Sequence, residues 1–238
     1  MHNLDINIIV FLNDLAHRSS LFDRAMVLLS TTNLLKGGLI IAVLWWLWFG
    51  RDELRAQSRA TIISTLVSSF GALFVARIFA LLLPFRLRPL HHPAIDFTPP
   101  YSMQPVVLEG WSSFPSDHAA LFFTLAMGIF LVSREIGILV LSYVFVFICL
   151  PRVYLGLHFP TDIVAGALIG MIIAYIANTT KVKQLLSSYV LPWQSRYPGF
   201  FYTSFFLLTY QIVTLFDDTR TIGQFAIGIL KNIEQSLK

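Results

Sequence analysis

The sequence predicts an all-α membrane protein, a polytopic bundle of six transmembrane helices with an amphipathic helix at each end. Of its 238 residues, 56% are hydrophobic and only 13% are charged, whereas soluble domains carry about 25% charged residues. The hydrophobic residues also form long blocks, close to the roughly 20 residues that a helix needs to cross a bilayer. Both observations favour lipid as the solvent of the folded chain.

Six apolar blocks are candidates for transmembrane spans, and they lie at 34–50, 59–84, 116–133, 136–152, 160–178 and 199–216. The third and fourth are separated by little more than Arg134 and Glu135, which predicts a tight helical hairpin. The chain is thereby divided into an interfacial N-terminal segment, a membrane domain that carries the function and a C-terminal tail, at 1–33, 34–216 and 217–238.

The two end segments are too polar to cross a membrane. Residues 5–16 mix apolar side chains with Asp5, Asn13 and Asp14, which favours a helix that lies in the membrane interface. In the tail, apolar residues recur at helical intervals, at Ile222, Phe225, Ile229 and Ile233. We therefore predict a second amphipathic helix there.

The composition also limits the partners and cofactors. A net charge of +4 suits a protein beside anionic lipid, and no basic run interleaved with aromatic residues indicates nucleic acid as a partner. The single cysteine, Cys149, cannot form an intramolecular disulfide or a cysteine-based zinc site. Since the sequence contains neither His-Glu-x-x-His nor paired acidic motifs, we expect no metal and no other required cofactor. The oligomeric state stays open.

The distribution of basic residues predicts the orientation in the membrane. Connections on one side hold most of the basic loop residues, namely Arg51, Arg55, Arg134, Lys181, Lys183 and Arg196. Since Lys and Arg accumulate on the cytoplasmic side, the loop at 84–114 and the turn at 151–160 are expected at the opposite, outer face.

Three polar segments would meet at that outer face, at 84–89, 112–118 and 152–162. Transfer of a phosphoryl group needs positive charge and N–H donors around the phosphate oxygens, a nucleophile in line, and an acid for the leaving oxygen. Arg88 and Arg152 can clamp phosphate oxygens with their planar guanidinium groups. Ser116 follows Pro115 at the predicted first turn of a span, where free N–H groups attract an anion.

The histidines of these segments are candidates for the chemistry itself. His158 and Asp162 are four residues apart, so the carboxylate can accept a hydrogen bond from the imidazole and leave its other nitrogen free to attack phosphorus. His118, in the first turn of another span, can protonate the leaving group. A lone histidine at a helix start is more often an ordinary interfacial residue, but the joint spacing with Arg152 favours catalysis.

The segments resemble the signature of the type 2 phosphatidic acid phosphatase and vanadium haloperoxidase superfamily. Six-helix membrane members of that superfamily hydrolyse lipid phosphates. Its second and third motifs, Pro-Ser-x-His and Arg-x5-His-x3-Asp, match here at Pro115, Ser116, His118, Arg152, His158 and Asp162.

The first motif of the superfamily, Lys-x6-Arg-Pro, matches only in part. Arg88 and Pro89 fit its end, but Leu81 stands where the motif has lysine. The role of that lysine is either absent here or taken by Arg77 or Arg86. Because Arg77 lies within a predicted span, it is either a phosphate ligand or a side chain that snorkels to the interface.

The resemblance implies a metal-independent phosphatase that works through a phosphohistidine intermediate. The Asn-Asp-Leu segment at 13–15 is similar to bacterial members that act on undecaprenyl diphosphate, which is therefore the favoured substrate. Phosphatidic acid and phosphatidylglycerol phosphate are alternatives, as are a lipid phosphotransferase with the same intermediate and a non-catalytic lipid transporter or scaffold. The resemblance also implies a bacterial inner membrane, with the site facing the periplasmic or extracellular side.

Overall fold

The computed structural model describes residues 3–50, 55–103, 110–217 and 225. Within these residues every regular element is helical, which confirms the predicted all-α class. The amphipathic helix predicted for 217–238 lies outside the described residues, apart from positions 217 and 225.

The described chain forms ten α-helices, which are α1 (Asn3–Asn13), α2 (Ser20–Thr31), α3 (Leu39–Trp48), α4 (Arg55–Leu82), α5 (Asp117–Val132), α6 (Arg134–Tyr143), α7 (Leu150–Tyr154), α8 (Pro160–Ala177), α9 (Thr180–Arg196) and α10 (Pro198–Val213). A π-helical turn at Leu34–Gly38 leads into α3, and another at Val144–Cys149 joins α6 to α7.

Three of the described helices are long and apolar enough to span a membrane, at Ala56–Leu82, Arg134–Tyr154 and Pro160–Ala177. The pair Ser20–Thr31 and Leu34–Trp48, bent by 66°, provides a fourth span if it is counted as one. Helices occupy all six predicted blocks, but the count of six spans is not confirmed. The helices α5 and α10 have only 16 residues each, or about 24 Å of rise against a hydrocarbon core of about 30 Å.

The chain also contains helices that the apolar blocks did not indicate. The connection after the fifth block forms α9, a polar helix without a buried residue. The N-terminal segment forms α1, where the sequence predicted a helix at 5–16, and α2, which it did not predict, and each helix turns an acidic side chain inward, Asp5 and Asp23. The polar helices α2 and α9 were missed because the search was for long apolar blocks.

The N-terminal helices hold the loop that follows Arg88 in place. Asp23 accepts hydrogen bonds from the hydroxyl of Tyr154 at 2.5 Å and from the backbone N–H of Tyr101 at 3.0 Å. Asn13 binds the backbone of Thr98 through both its amide nitrogen and its amide oxygen, at 2.8 and 2.9 Å. The loop that follows Arg88 is thereby fixed to the N-terminal segment.

The helix α5 lies at the centre of the bundle, where it contacts α4, α6 and α8, and nine of its residues are buried. Glycines of α8 allow the closest of these approaches. A β-carbon at Gly170 would overlap the carbonyl oxygen of Ala120, and one at Gly166 would overlap that of Ser116. The contact between α5 and α8 is thus a contact between backbones.

The substitution Gly170→Ala should push α5 and α8 apart. Overpacking of this kind typically lowers the free energy of unfolding by about 1–3 kcal/mol, which we expect to see as a lower Tm of the purified protein in detergent. Gly199→Ala is the matched control, because a β-carbon at Gly199 meets nothing within 4 Å. Equal Tm values for both variants would contradict the close packing.

Candidate active site

A cavity of about 570 Å³ opens where the starts of α5 and α8 meet the N-terminal helices. Five of the predicted site residues line it, namely Arg77, Arg88, His118, Arg152 and His158. The other three, Arg86, Ser116 and Asp162, lie behind this lining. Three charged residues that the sequence did not assign to the site, Lys36, Asp117 and Asp217, also line the cavity.

His158 is buried in the turn between α7 and α8, with 3% of its surface exposed. Its Nδ1 lies 2.8 Å from the carbonyl oxygen of Ser113. Because a carbonyl can only accept a hydrogen bond, Nδ1 carries the proton and Nε2 keeps its lone pair. Nη1 of Arg88 lies 3.4 Å from Nε2. The unprotonated nitrogen therefore faces a cationic donor.

Burial lowers the pKa of His158 from its usual 6.5. The carboxylate of Asp162 opposes this shift, and the positive charges of Arg88 and Arg152 add to it. Because the pKa falls, the imidazole is neutral at pH 7, which is the protonation state that a nucleophile requires.

The predicted hydrogen bond from His158 to Asp162 is not formed. The distance from Nδ1 to Oδ2 of Asp162 is 3.7 Å, too long for a hydrogen bond, and the carbonyl of Ser113 takes the proton instead. The Asp162 carboxylate accepts from the backbone N–H of Phe159 at 2.7 Å and from Arg86 at 2.5 Å. Its first task is thus to cap the start of α8.

Arg86 is held by the protein and does not line the cavity. It donates to Asp162 at 2.5 Å, to Asp5 of α1 at 2.7 Å and to Thr161 at 2.9 Å. Asp5 itself is 1% exposed and also accepts from the backbone N–H and the hydroxyl of Thr161. The expectation that Arg86 is a phosphate ligand therefore does not fit this geometry, since both of its terminal nitrogens donate to side chains of the protein.

Ser116 is the N-cap of α5, and its hydroxyl accepts from the backbone N–H of Ala119 at 3.4 Å. Its own N–H donates to the carbonyl of Asp162 at 3.1 Å. The residue is fully buried. Ser116 thus joins the starts of α5 and α8, and it directs His118 in the following turn towards the cavity.

Arg77 lines the cavity, but it has a partner there. Its guanidinium forms an ion pair with Asp117 and lies over the ring of Trp111 at 4.6 Å. The sequence left two roles open for Arg77, a phosphate ligand and a snorkelling residue. A phosphate would have to compete with Asp117 for its guanidinium. The charge of Arg77 is largely balanced within the protein.

Arg88 and Arg152 differ from these two arginines in having donors without partners. They are 6% and 4% exposed, and the Nε of each lacks a hydrogen-bond partner among the described residues. Burial lowers the pKa of Arg88 to about 10, so its guanidinium is charged at pH 7. A buried, unsatisfied cationic donor is costly unless an anion binds it. The two unpaired Nε groups would be satisfied by an anion.

The residues that the sequence analysis missed come mainly from distant parts of the chain. Lys36 interrupts the first apolar block, and an ionisable residue inside a span is itself a functional signal. Asp5 gives a weaker signal, because acids are common in the first turn of a helix. Ser113 acts through its carbonyl, which no side-chain pattern can reveal.

Comparison with known proteins shows which family the central part of the chain resembles. The profile described as "PAP2 superfamily" matches residues 59–185, which include all the predicted site residues. The bacitracin transport permease protein BcrC of Bacillus licheniformis is 40% identical over 83 residues, covering 33% of this chain and 40% of that protein.

A second curated relative, the putative undecaprenyl-diphosphatase YbjG of Escherichia coli (strain K12), is 34% identical over 142 residues, 56% of this chain and 61% of that protein. The chain thus matches less than two thirds of the length of either relative. The crystal structure of Aquifex aeolicus LpxE has the same fold, with a TM-score of 0.50 and 24% identity over 74% of this chain and 95% of that chain.

The site geometry makes a prediction about the protonation of His158. Because its pKa is lowered, His158 should stay neutral as the pH falls through 6.5 and gain a proton only below that value. Nitrogen NMR of histidine-labelled protein in detergent should show a neutral ring with its proton on Nδ1, and the signal should be absent in His158→Gln. A titration midpoint at or above 6.5 would contradict the burial of this imidazole.

Proposed function

This chain belongs to the PAP2 superfamily, and we propose that it is a membrane phosphatase that hydrolyses a lipid diphosphate, with undecaprenyl diphosphate as the substrate. One observation carries the proposal: the unprotonated Nε2 of His158 lies beside a buried arginine in a cavity with cationic walls. The similarity to a protein named as a putative undecaprenyl-diphosphatase supports the choice of lipid.

The proposed reaction has two steps. In the first, Nε2 of His158 attacks the terminal phosphorus, the bond from phosphorus to the bridging oxygen breaks, and His118 gives a proton to the leaving lipid phosphate. In the second, water attacks the phosphohistidine, His118 takes its proton, and inorganic phosphate leaves. His158 is then neutral again, and both histidines are ready for another turnover.

Arg88 and Arg152 are the proposed ligands of the transferring phosphate. Their unsatisfied donors would bind its equatorial oxygens and stabilise the charge that develops in the transition state. Ser116 and Asp162 act as positioning residues in this proposal, since each is engaged at a helix start. The excess of positive charge would repel a metal cation, which supports a mechanism that does not use one.

We further propose that α5 and α10 complete a set of six spans and that the cavity opens to the outer side of a bacterial inner membrane. The polar helix α9 carries Lys181, Lys183 and Arg196 at the opposite end of the bundle, which supports this orientation by the positive-inside rule.

Phosphate release from undecaprenyl diphosphate by the purified protein should persist in EDTA and fall by at least about 1,000-fold in His158→Ala, because the nucleophile is lost. His91→Ala is the histidine control, since His91 does not line the cavity. Release that requires a metal, or that survives in His158→Ala, would overturn the mechanism.

The same assay distinguishes the alternative reactions and substrates. Phosphatidic acid and phosphatidylglycerol phosphate are tested in parallel, and an added lipid acceptor tests for phosphotransfer. Faster release from one of these two lipids would replace the proposed substrate. Phosphate found on the acceptor, with little in water, would identify a phosphotransferase.

The orientation has its own test. Two exposed positions suit the introduction of single cysteines: Asp96, in the loop after Arg88, and Ser188, in α9. A membrane-impermeant maleimide should label Asp96→Cys in spheroplasts and should label Ser188→Cys only after lysis. Cys149 is buried and provides a low background. The reverse labelling pattern would invert the proposed topology.

A further inference from the structure

Lys36 lies in the π-helical turn that joins the two halves of the bent helix pair, and it is 7% exposed. It lines the same cavity as both histidines. Arg152 repels its charge, and Asp217 attracts it. A buried lysine beside an arginine is costly, and lysines within spans usually mark a path or site for a charged ligand. The position of Lys36 therefore needs a functional explanation.

The turn that carries Lys36 packs on the His118 side of the cavity. A β-carbon at Gly37 would lie 3.3 Å from the ring of Phe122, and that ring contacts His118 with centroids 6.1 Å apart. The positive charge of Lys36 also acts electrostatically on His118. The turn of Lys36 is thus linked to the proposed acid through the ring of Phe122.

We propose that Lys36 binds the phosphate that stays on the lipid and thereby selects diphosphates over monophosphates; this rests on the proposed phosphatase function. The leaving oxygen must lie near His118, which protonates it. A diphosphate places a second charged phosphate on that side, whereas a monophosphate places an uncharged alkyl chain there. With a monophosphate bound, the buried ammonium would have only the attraction of the exposed Asp217, and a second phosphate would compensate its charge better, which separates the two substrate classes.

If Lys36 binds substrate and does not stabilise the fold, its replacement should not lower the Tm of the protein. Lys36→Met removes the repulsion between Lys36 and the buried Arg152, and the carboxylate of Asp217, which attracts Lys36, is exposed and keeps its solvation by water. Lys36→Met should therefore have a Tm equal to or above that of the wild type in the absence of anions, although it binds pyrophosphate less tightly.

The first experiment measures the affinity of the full chain in detergent for inorganic pyrophosphate and for orthophosphate. We expect Lys36→Met to weaken pyrophosphate binding by about 10- to 100-fold, the effect of one charge-assisted hydrogen bond, and to leave orthophosphate binding nearly unchanged. Lys36→Arg should restore most of the pyrophosphate affinity. Lys181→Met, the same change at an exposed lysine of α9, should bind both anions like the wild type.

Two results would overturn the assignment. An equal loss of affinity for both anions would make Lys36 a ligand of the transferred phosphate or a general source of positive charge. Unchanged pyrophosphate affinity in Lys36→Met would mean that Lys36 does not contact the second phosphate.

The second experiment compares hydrolysis of farnesyl diphosphate and farnesyl monophosphate. The ratio of their kcat/KM values should fall by about 10- to 100-fold in Lys36→Met, with monophosphate hydrolysis retained. If the wild type releases no phosphate from undecaprenyl diphosphate or from the farnesyl lipids but its pyrophosphate binding depends on Lys36, the proposed function fails and Lys36 remains a diphosphate ligand. If it hydrolyses both and the ratio does not change in Lys36→Met, the assignment alone fails.

Discussion

The close contact between α5 and α8 is the constraint on which the rest of the site depends. Gly166 and Gly170 let the two backbones meet, and the N–H of Ser116 then reaches the carbonyl of Asp162 at 3.1 Å. Small residues permit this kind of approach between membrane helices. Because both helices begin at this contact, His118 and the turn that carries His158 line one cavity although they are distant in sequence.

The arginines of the site illustrate how a membrane protein uses buried charge. Arg86 and Arg77 are paired with carboxylates of the protein and stabilise its structure. Arg88 and Arg152 are buried with donors that no described residue satisfies. Unpaired donors of this kind are costly away from water. They are therefore a stronger sign of an anion site than an arginine residue alone. The sequence cannot separate these two kinds of arginine, because their hydrogen-bond partners are known only once the chain is folded.

Much of this arrangement could be predicted from the sequence, because apolar block length and motif spacing report directly on helices and on local geometry. All six blocks contain helices, and Arg88, His118, Arg152 and His158 line one cavity. The number of spans could not be predicted, since block length does not say how a helix of 16 residues meets the bilayer. The partners of His158 and Asp162 could not be predicted either, because the carbonyl of Ser113 binds His158, and Arg86 and the backbone N–H of Phe159 bind Asp162.

The network of Asp5, Arg86 and Asp162 also has a consequence for the order of synthesis. The ribosome makes Asp5 first, Arg86 next and Asp162 last, so the arginine emerges into the membrane well before one of its two carboxylates exists. During that interval Asp5 is the counter-ion from this network that has already been made. The first helix can thus neutralise the charge of Arg86 in the nascent chain, and the synthesis of α8 then completes the three-residue network.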